Sequence, residues 1–191
     1  MITGLTKNSK KHFQLDAGAL FKNYDPATDT PATASAKLIG ATVGGTTFSC
    51  VPEVRQVSVD GAKGPTMGLE IIESYTATLT TNVKEVTVSS ISMAIAAVTS
   101  AASQSPAGYT KIVPKGELAD SDYLDNVTWI GKMSGSNNPI MIVLKNAVNL
   151  NGFSLAAQDK NEANVPIVLT AHYDMDDLDT VPVEIYVPDV A

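Results

Sequence analysis

Period-two alternation dominates the chain. Over Leu69–Thr81 it sets Tyr75, Ala77 and Leu79 against Ser74, Thr76, Thr78 and Thr80, which predicts a strand buried on one face and wet on the other. Thr46–Val59 alternates through Val51, Val54, Val57 and Val59 but is broken at Pro52, where a central ladder would lose a donor, so an edge position or a bulge is expected. Asp60-Gly61-Ala-Lys-Gly64-Pro65 between them is turn chemistry, and the two segments make a long hairpin. Further strands are predicted at Ala17–Tyr24, Tyr109–Val113, Leu124–Met133, Ile140–Leu150, Phe153–Ala157, Val165–Tyr173 and Val183–Val187, separated by Gly-, Asn- and Asp-rich turns.

Helical spacing is confined to one place. Asn82, followed three residues later by Glu85, resembles a capping box and opens a helix predicted to run to about Val98. Two stretches have no period: a polar, lysine-rich arm over Met1–Gln14, and the long loop Asp25–Ala36, with two prolines and many small residues. The arm is expected to be disordered or ordered by a partner, and the loop functional or mobile. Short strands with one helix define a mainly β class, an antiparallel β-sandwich or partly closed barrel with one flanking helix and a long hairpin. At 191 residues, this is read as a single domain spanning residues 1–191, ending in an acidic segment, 174–191.

Charge sharpens the picture through its distribution. Residues 1–150 hold 12 basic and 12 acidic side chains, whereas 151–191 hold 1 and 8, so the entire net charge of −7 arises in the last segment. With no basic block beyond Lys7, Lys10 and Lys11, a protein that grips duplex phosphates is excluded. No apolar run reaches the length of a membrane span, no secretory signal is visible, and the single Cys50 permits no internal disulfide, which fits a reducing cytoplasm. Outside a secretory route, the sequon Asn126-Val127-Thr128 carries no meaning.

Candidate chemistry fails on inspection of spacing. Gly40-Ala-Thr-Val-Gly44-Gly45-Thr46-Thr47 has the glycines of a phosphate loop but Thr46 in place of its lysine. Asp174–Asp179 invites a calcium reading, yet a calcium-binding loop counted from Asp174 would need Gly at Asp179 and Glu at Ile185; a solvated acidic turn is the simpler expectation, with a weaker cation site left open. His12, His172 and Cys50 have no metal-ligand spacing, and no nucleophile elbow is present, so neither a metal, a cofactor nor an enzyme activity is expected. Trp129, between Thr128 and Ile130, reads as core.

The order of several segments resembles the major tail (tail tube) proteins of long-tailed bacteriophages, mainly of Gram-positive hosts, and equally the tubes of tail-derived bacteriocins. The resemblance lies in Gly18-Ala-Leu-Phe-Lys-Asn-Tyr24, Leu38-Ile-Gly-Ala-Thr42 with Gly44-Gly45, Pro52-Glu-Val-Arg55 leading to Val59-Asp60-Gly61, Leu79-Thr-Thr-Asn82 and Thr170-Ala-His-Tyr-Asp174. It implies hexameric rings stacked into a hollow tube in the virion, assembled in the host cytoplasm. The implied partners are further copies of the chain, a tape-measure protein, tail-tip and terminator proteins, and DNA in transit, with no membrane. On that basis Ser74, Thr76, Thr78 and Thr80 are expected to face the lumen, with Glu70 on the same alternation face. Asp25, Pro26, Asp29 and Pro31 of the loop and Lys10 and Lys11 of the arm are expected to contact stacked rings. The alternative is a monomeric surface β-sandwich that binds carbohydrate or protein, which the small supply of aromatics (4 Phe, 6 Tyr, 1 Trp) disfavours.

Overall fold

A computed structural model describes residues 3–190. Ten strands run β1 Gln14–Lys22, β2 Thr42–Gln56, β3 Glu70–Val83, β4 Val98–Ala102, β5 Thr110–Pro114, β6 Leu124–Met133, β7 Ile140–Asn149, β8 Ala156–Gln158, β9 Asn161–Thr170 and β10 Val183–Tyr186, with one helix, α1, over Val88–Ile95. Every strand pairing is antiparallel. The order β1-β6-β7-β9-β3-β2 divides at β7. Its first residues pair with β6 and β10, while Val148 and Asn149 pass to β9, so one strand belongs to two sheets.

Between these sheets lies a core of Leu20, Ala77, Leu79, Val83, Val127, Trp129, Leu144, Val165, Ile167 and Leu169, each from a position the alternation points inward. Removal of side chains such as Leu79 from water contributes about 2 kcal/mol apiece. No ladder joins β1 to β2 among the described residues, so the molecule is a β-sandwich and the barrel alternative does not hold.

The expected Asn82–Val98 helix is shorter. Asn82 stays in β3, opposite Val43 and Pro166, because the β-branched residues around it, Thr80, Thr81 and Val83, continue the strand's alternation rather than breaking it. Glu85 accepts a hydrogen bond from the Ala41 N–H at 2.8 Å instead of closing a cap. The working cap lies five residues downstream of Asn82. There Thr87 Oγ1 accepts from the Ser90 N–H (3.1 Å) and Ser90 Oγ accepts from the Thr87 N–H (2.8 Å). At the other end the buried Asn149 amide donates to the Ala94 carbonyl at 2.9 Å, satisfying a terminal acceptor the helix leaves open.

Both periodless stretches are folded. In the loop, the Asp25 carboxylate accepts from the Ala27 N–H and the Thr28 hydroxyl. Asp29 takes the Asp25 N–H at 2.8 Å and pairs with Lys37 at 2.5 Å. Buried Ala34 anchors the loop against Phe21 and Tyr24. The arm ends in a 3-10 turn, Ser9–Lys11, pinned by Ser134, whose N–H donates to the Phe13 carbonyl at 2.9 Å and whose hydroxyl accepts from the Phe13 N–H at 3.1 Å. Met1 and Ile2 of the arm, and Ala191 of the acidic segment, lie outside the described residues.

Candidate functional site

The strand face singled out by alternation is rich in hydroxyls, with Val51 beside Thr76 and Val168 beside Thr80 set among them. Thr80 stands opposite Thr47, and Thr78 lies between Ser49 on β2 and Thr170 on β9. Thr76 and Thr80 are exposed and Ser74 and Thr78 half-buried, while Ala77 and Leu79 on the reverse face are fully buried. Three strands thus contribute hydroxyls to one surface, a register-level property that β3 alone only hints at.

Glu70 does not belong to this face. Between Glu53 and Val54 the register slips, so Glu53 opposes Ser74 but Val54 opposes Ile72, leaving Glu73 as an extra residue. One inserted residue exchanges the faces of everything beyond it. Glu70 therefore pairs with Gln56 on the side of Cys50 and Ala77. Arg55, the sole cation of either strand, forms an ion pair with Glu73, and the Ser74 hydroxyl donates to Glu53 at 3.1 Å. Where β3 ends, Lys84 pairs with Glu162 at 2.9 Å.

β2 is the edge strand that Pro52 predicts, with its outer side unpaired over 15 residues. The Tyr75 N–H donates to the Tyr173 hydroxyl at 2.9 Å, the last tie between the hairpin and the body. Past this tie the hairpin is exposed on both faces: Val54, Ile71 and Ile72 have no covering layer, and Met67 at the tip is 98% exposed.

The positions expected to touch stacked rings separate into held and outward groups. Hydrogen bonding by Thr28 holds the Asp25 carboxyl below its usual range. The Asp25 N–H and then Lys37 do the same for Asp29. Pro31 and Lys10 are exposed, Pro26 and Lys11 half-buried, and the Lys10 carbonyl accepts from Ser134 at 2.5 Å.

Gly44 and Gly45, both at φ +79°, form a bulge in β2 between Val43 and Thr46, a kink for which the left-handed backbone favours glycine. In Asp174–Asp179 two carboxylates turn back on their own chain: Asp174 accepts from the Asp176 N–H at 2.9 Å and Asp177 from the Thr180 N–H at 3.2 Å. No group of three or more His, Cys, Asp or Glu side chains is placed to hold a metal among the described residues. His172 is half-buried, with Nδ1 near the Thr170 carbonyl (3.0 Å) and its ring edge-on to Tyr123 at 5.2 Å; Cys50 is free and exposed. Trp129 is core, 9% exposed, with Nε1 donating to the Ala17 carbonyl at 3.0 Å. In the sequon, Asn126 Oδ1 accepts from the Tyr24 N–H at 3.0 Å.

Two features have little sequence signal. Strand β4, Val98–Ala102, is built largely from small residues and pairs with β5, which alternation does predict, and the open groove walled by Tyr123, His172, Tyr173 and Met175 joins chain segments some 50 residues apart. No described helix is long and apolar enough to cross a membrane.

Fold and surface together define an antiparallel β-sandwich with a hydroxyl-covered sheet face beside a long open edge. No protein-family profile matches the chain, and no curated protein is significantly similar to it in sequence.

Proposed function

We propose that the protein is a structural subunit that self-assembles into hexameric rings stacked as a hollow tail tube, a conduit for genome ejection that does not grip DNA. One observation carries the reading: the sheet β7-β9-β3-β2 combines a 15-residue open edge with an outer face of hydroxyls on which the local cations Arg55 and Lys84 are ion-paired. A long open edge is an aggregation liability in a monomer and a joint in a ring, where the neighbouring subunit's strand completes the ladder. A surface of hydroxyls offers phosphate no cationic partner, so a polyanion passes without being held. The order of the resembling segments from Gly18 to Asp174 points the same way.

In this reading Ser74, Thr76, Thr78 and Thr80 face the lumen, while Asp25, Pro26, Asp29, Pro31, Lys10 and Lys11 meet neighbouring rings. The tape-measure protein fills the tube before DNA does, terminator and tip proteins close its ends, and the virion is its location. Electron microscopy of the purified chain at raised concentration tests the assignment. Six-membered rings or hollow striated tubes are expected; a species that stays monomeric at every concentration, with and without tape-measure protein, refutes it.

A further inference from the structure

The two ends of β6 differ in charge and shape. Beyond Met133, Ser134 pins the arm, and Gly135 is indispensable there, since a Cβ on it would lie 2.4 Å from the Lys11 carbonyl. Ahead of the pin, Leu5 is 70% exposed, and Lys7, Lys10 and Lys132 are exposed without an ion pair among the described residues, against the local carboxylates Asp16 and Asp189. Before Leu124, at the opposite end, lies the open groove of about 440 Å³ walled by Tyr123, His172, Tyr173 and Met175. Met175 is 82% and Leu178 69% exposed. Asp120, Asp174 and Asp176 line it, Asp177 and Asp179 follow in the same acidic turn, and the nearby cations are already taken, Lys115 by Asp122 and Lys145 by Glu184.

We infer that the groove receives the basic N-terminal segment, Thr3–Lys10, of a second copy of this chain. Leu5 covers Met175 and Leu178 while Lys7 and Lys10 meet Asp174 and Asp176. The donor and acceptor sites lie about 30 Å apart along β6, nine residue steps at roughly 3.3 Å. One molecule therefore cannot satisfy itself. Two unlike patches at opposite ends give a head-to-tail contact that repeats along the strand direction without closing. Charge complementarity steers the encounter and the apolar contact holds it. This deepens the stacking role of the arm and rests on the tube reading only for its setting.

The test uses the full chain in a Cys50→Ser background. With both Leu5→Cys and Met175→Cys, mild oxidation is expected to give a ladder of covalent oligomers, and with either alone no more than dimers. Independently, Lys7→Glu with Lys10→Glu is expected to raise the concentration for half-maximal stacking about tenfold at about 50 mM salt, the combined effect of a few exposed ion pairs. Adding Asp174→Lys and Asp176→Lys should restore it. If tubes form but no ladder appears and charge reversal leaves stacking unchanged, the seating is wrong and the tube reading stands. A ladder with rescue but without rings or tubes supports the seating and removes the tube reading.

Discussion

Gly18 marks the point in β1 where the chain has least freedom, and replacing it with alanine exposes two separable costs. Its φ of +73° lies in the left-handed region, which costs an L-residue about 1–2 kcal/mol. The added methyl would also sit 2.4 Å from Trp129 Nε1, 2.6 Å from Cε2 and 2.7 Å from the Ile130 carbonyl, closer than any real contact. Relief requires displacing an indole that is 9% exposed and donates to the Ala17 carbonyl at 3.0 Å. Overpacking of this kind adds about 1–3 kcal/mol, so Gly18→Ala should cost about 2–5 kcal/mol in all. Urea unfolding followed by the fluorescence of Trp129, the single tryptophan, reads this directly. With a slope of about 2 kcal/mol per molar, the midpoint falls by about 1–2.5 M. Gly152→Ala isolates the backbone term, since Gly152 has φ +81° but nothing within 4 Å of a Cβ; it should cost only about 1 kcal/mol. Equal midpoints for the two variants would refute the packing of Trp129 against Gly18.

Asn149→Ala leaves the Ala94 carbonyl without its donor and opens a gap under the helix, so it should destabilise by about 2–3 kcal/mol and speed amide exchange in α1 ahead of the sheets. Asp25, Asp29 and Asp122 are held below the usual carboxylate range, by Thr28, by the Asp25 N–H with Lys37, and by Lys115 respectively. The folded chain therefore binds fewer protons than the unfolded one in acid. Their contribution is intact above about pH 5 and fades as pH falls through about 4 and below, so thermal melts should stay level from about pH 8 to 5 and drop only beneath that. Thr76→Lys and Thr80→Lys place cations on exposed positions of the hydroxyl face; on the proposed tube reading the variants should fold and assemble normally, but their assemblies should retain duplex DNA in a salt-dependent manner that the wild-type assembly lacks.

Most strands are legible in the sequence because their signal is local. β6 falls on its predicted residues, and the buried positions of β3, Ala77 and Leu79, follow from alternation alone. The helix starts later than its sequence signal because Asn82 and Glu85 satisfy a spacing rule that two further strands override: Asn82 is claimed by β2 and β9 before a helix can begin. The loop and arm look mobile in sequence since their order comes from contacts such as Asp29 with Lys37 and Ser134 with Phe13, which periodicity does not encode. The groove beside Tyr123 depends on where distant chain segments meet, and no linear pattern announces it.

The bulge at Glu73 alters the physical basis of the proposed conduit as well as the residue list. Simple alternation carries Glu70 onto the Ser74–Thr80 face and makes that surface acidic, so that repulsion would centre a polyanion. The observed register removes Glu70 and brings in Arg55 and Glu73 as a mutually neutralising pair. Lys84 and Glu162 cancel likewise, which leaves Glu53, bound to Ser74, as the uncompensated charge of the two strands' hydroxyl side. A nearly neutral face that bonds water through its hydroxyls neither attracts nor strongly repels phosphate. Passage then depends on the absence of any free cation rather than on an acidic lining. Thr76→Lys should consequently impair DNA release far more than Glu53→Gln, a contrast that a repulsive lining would not produce.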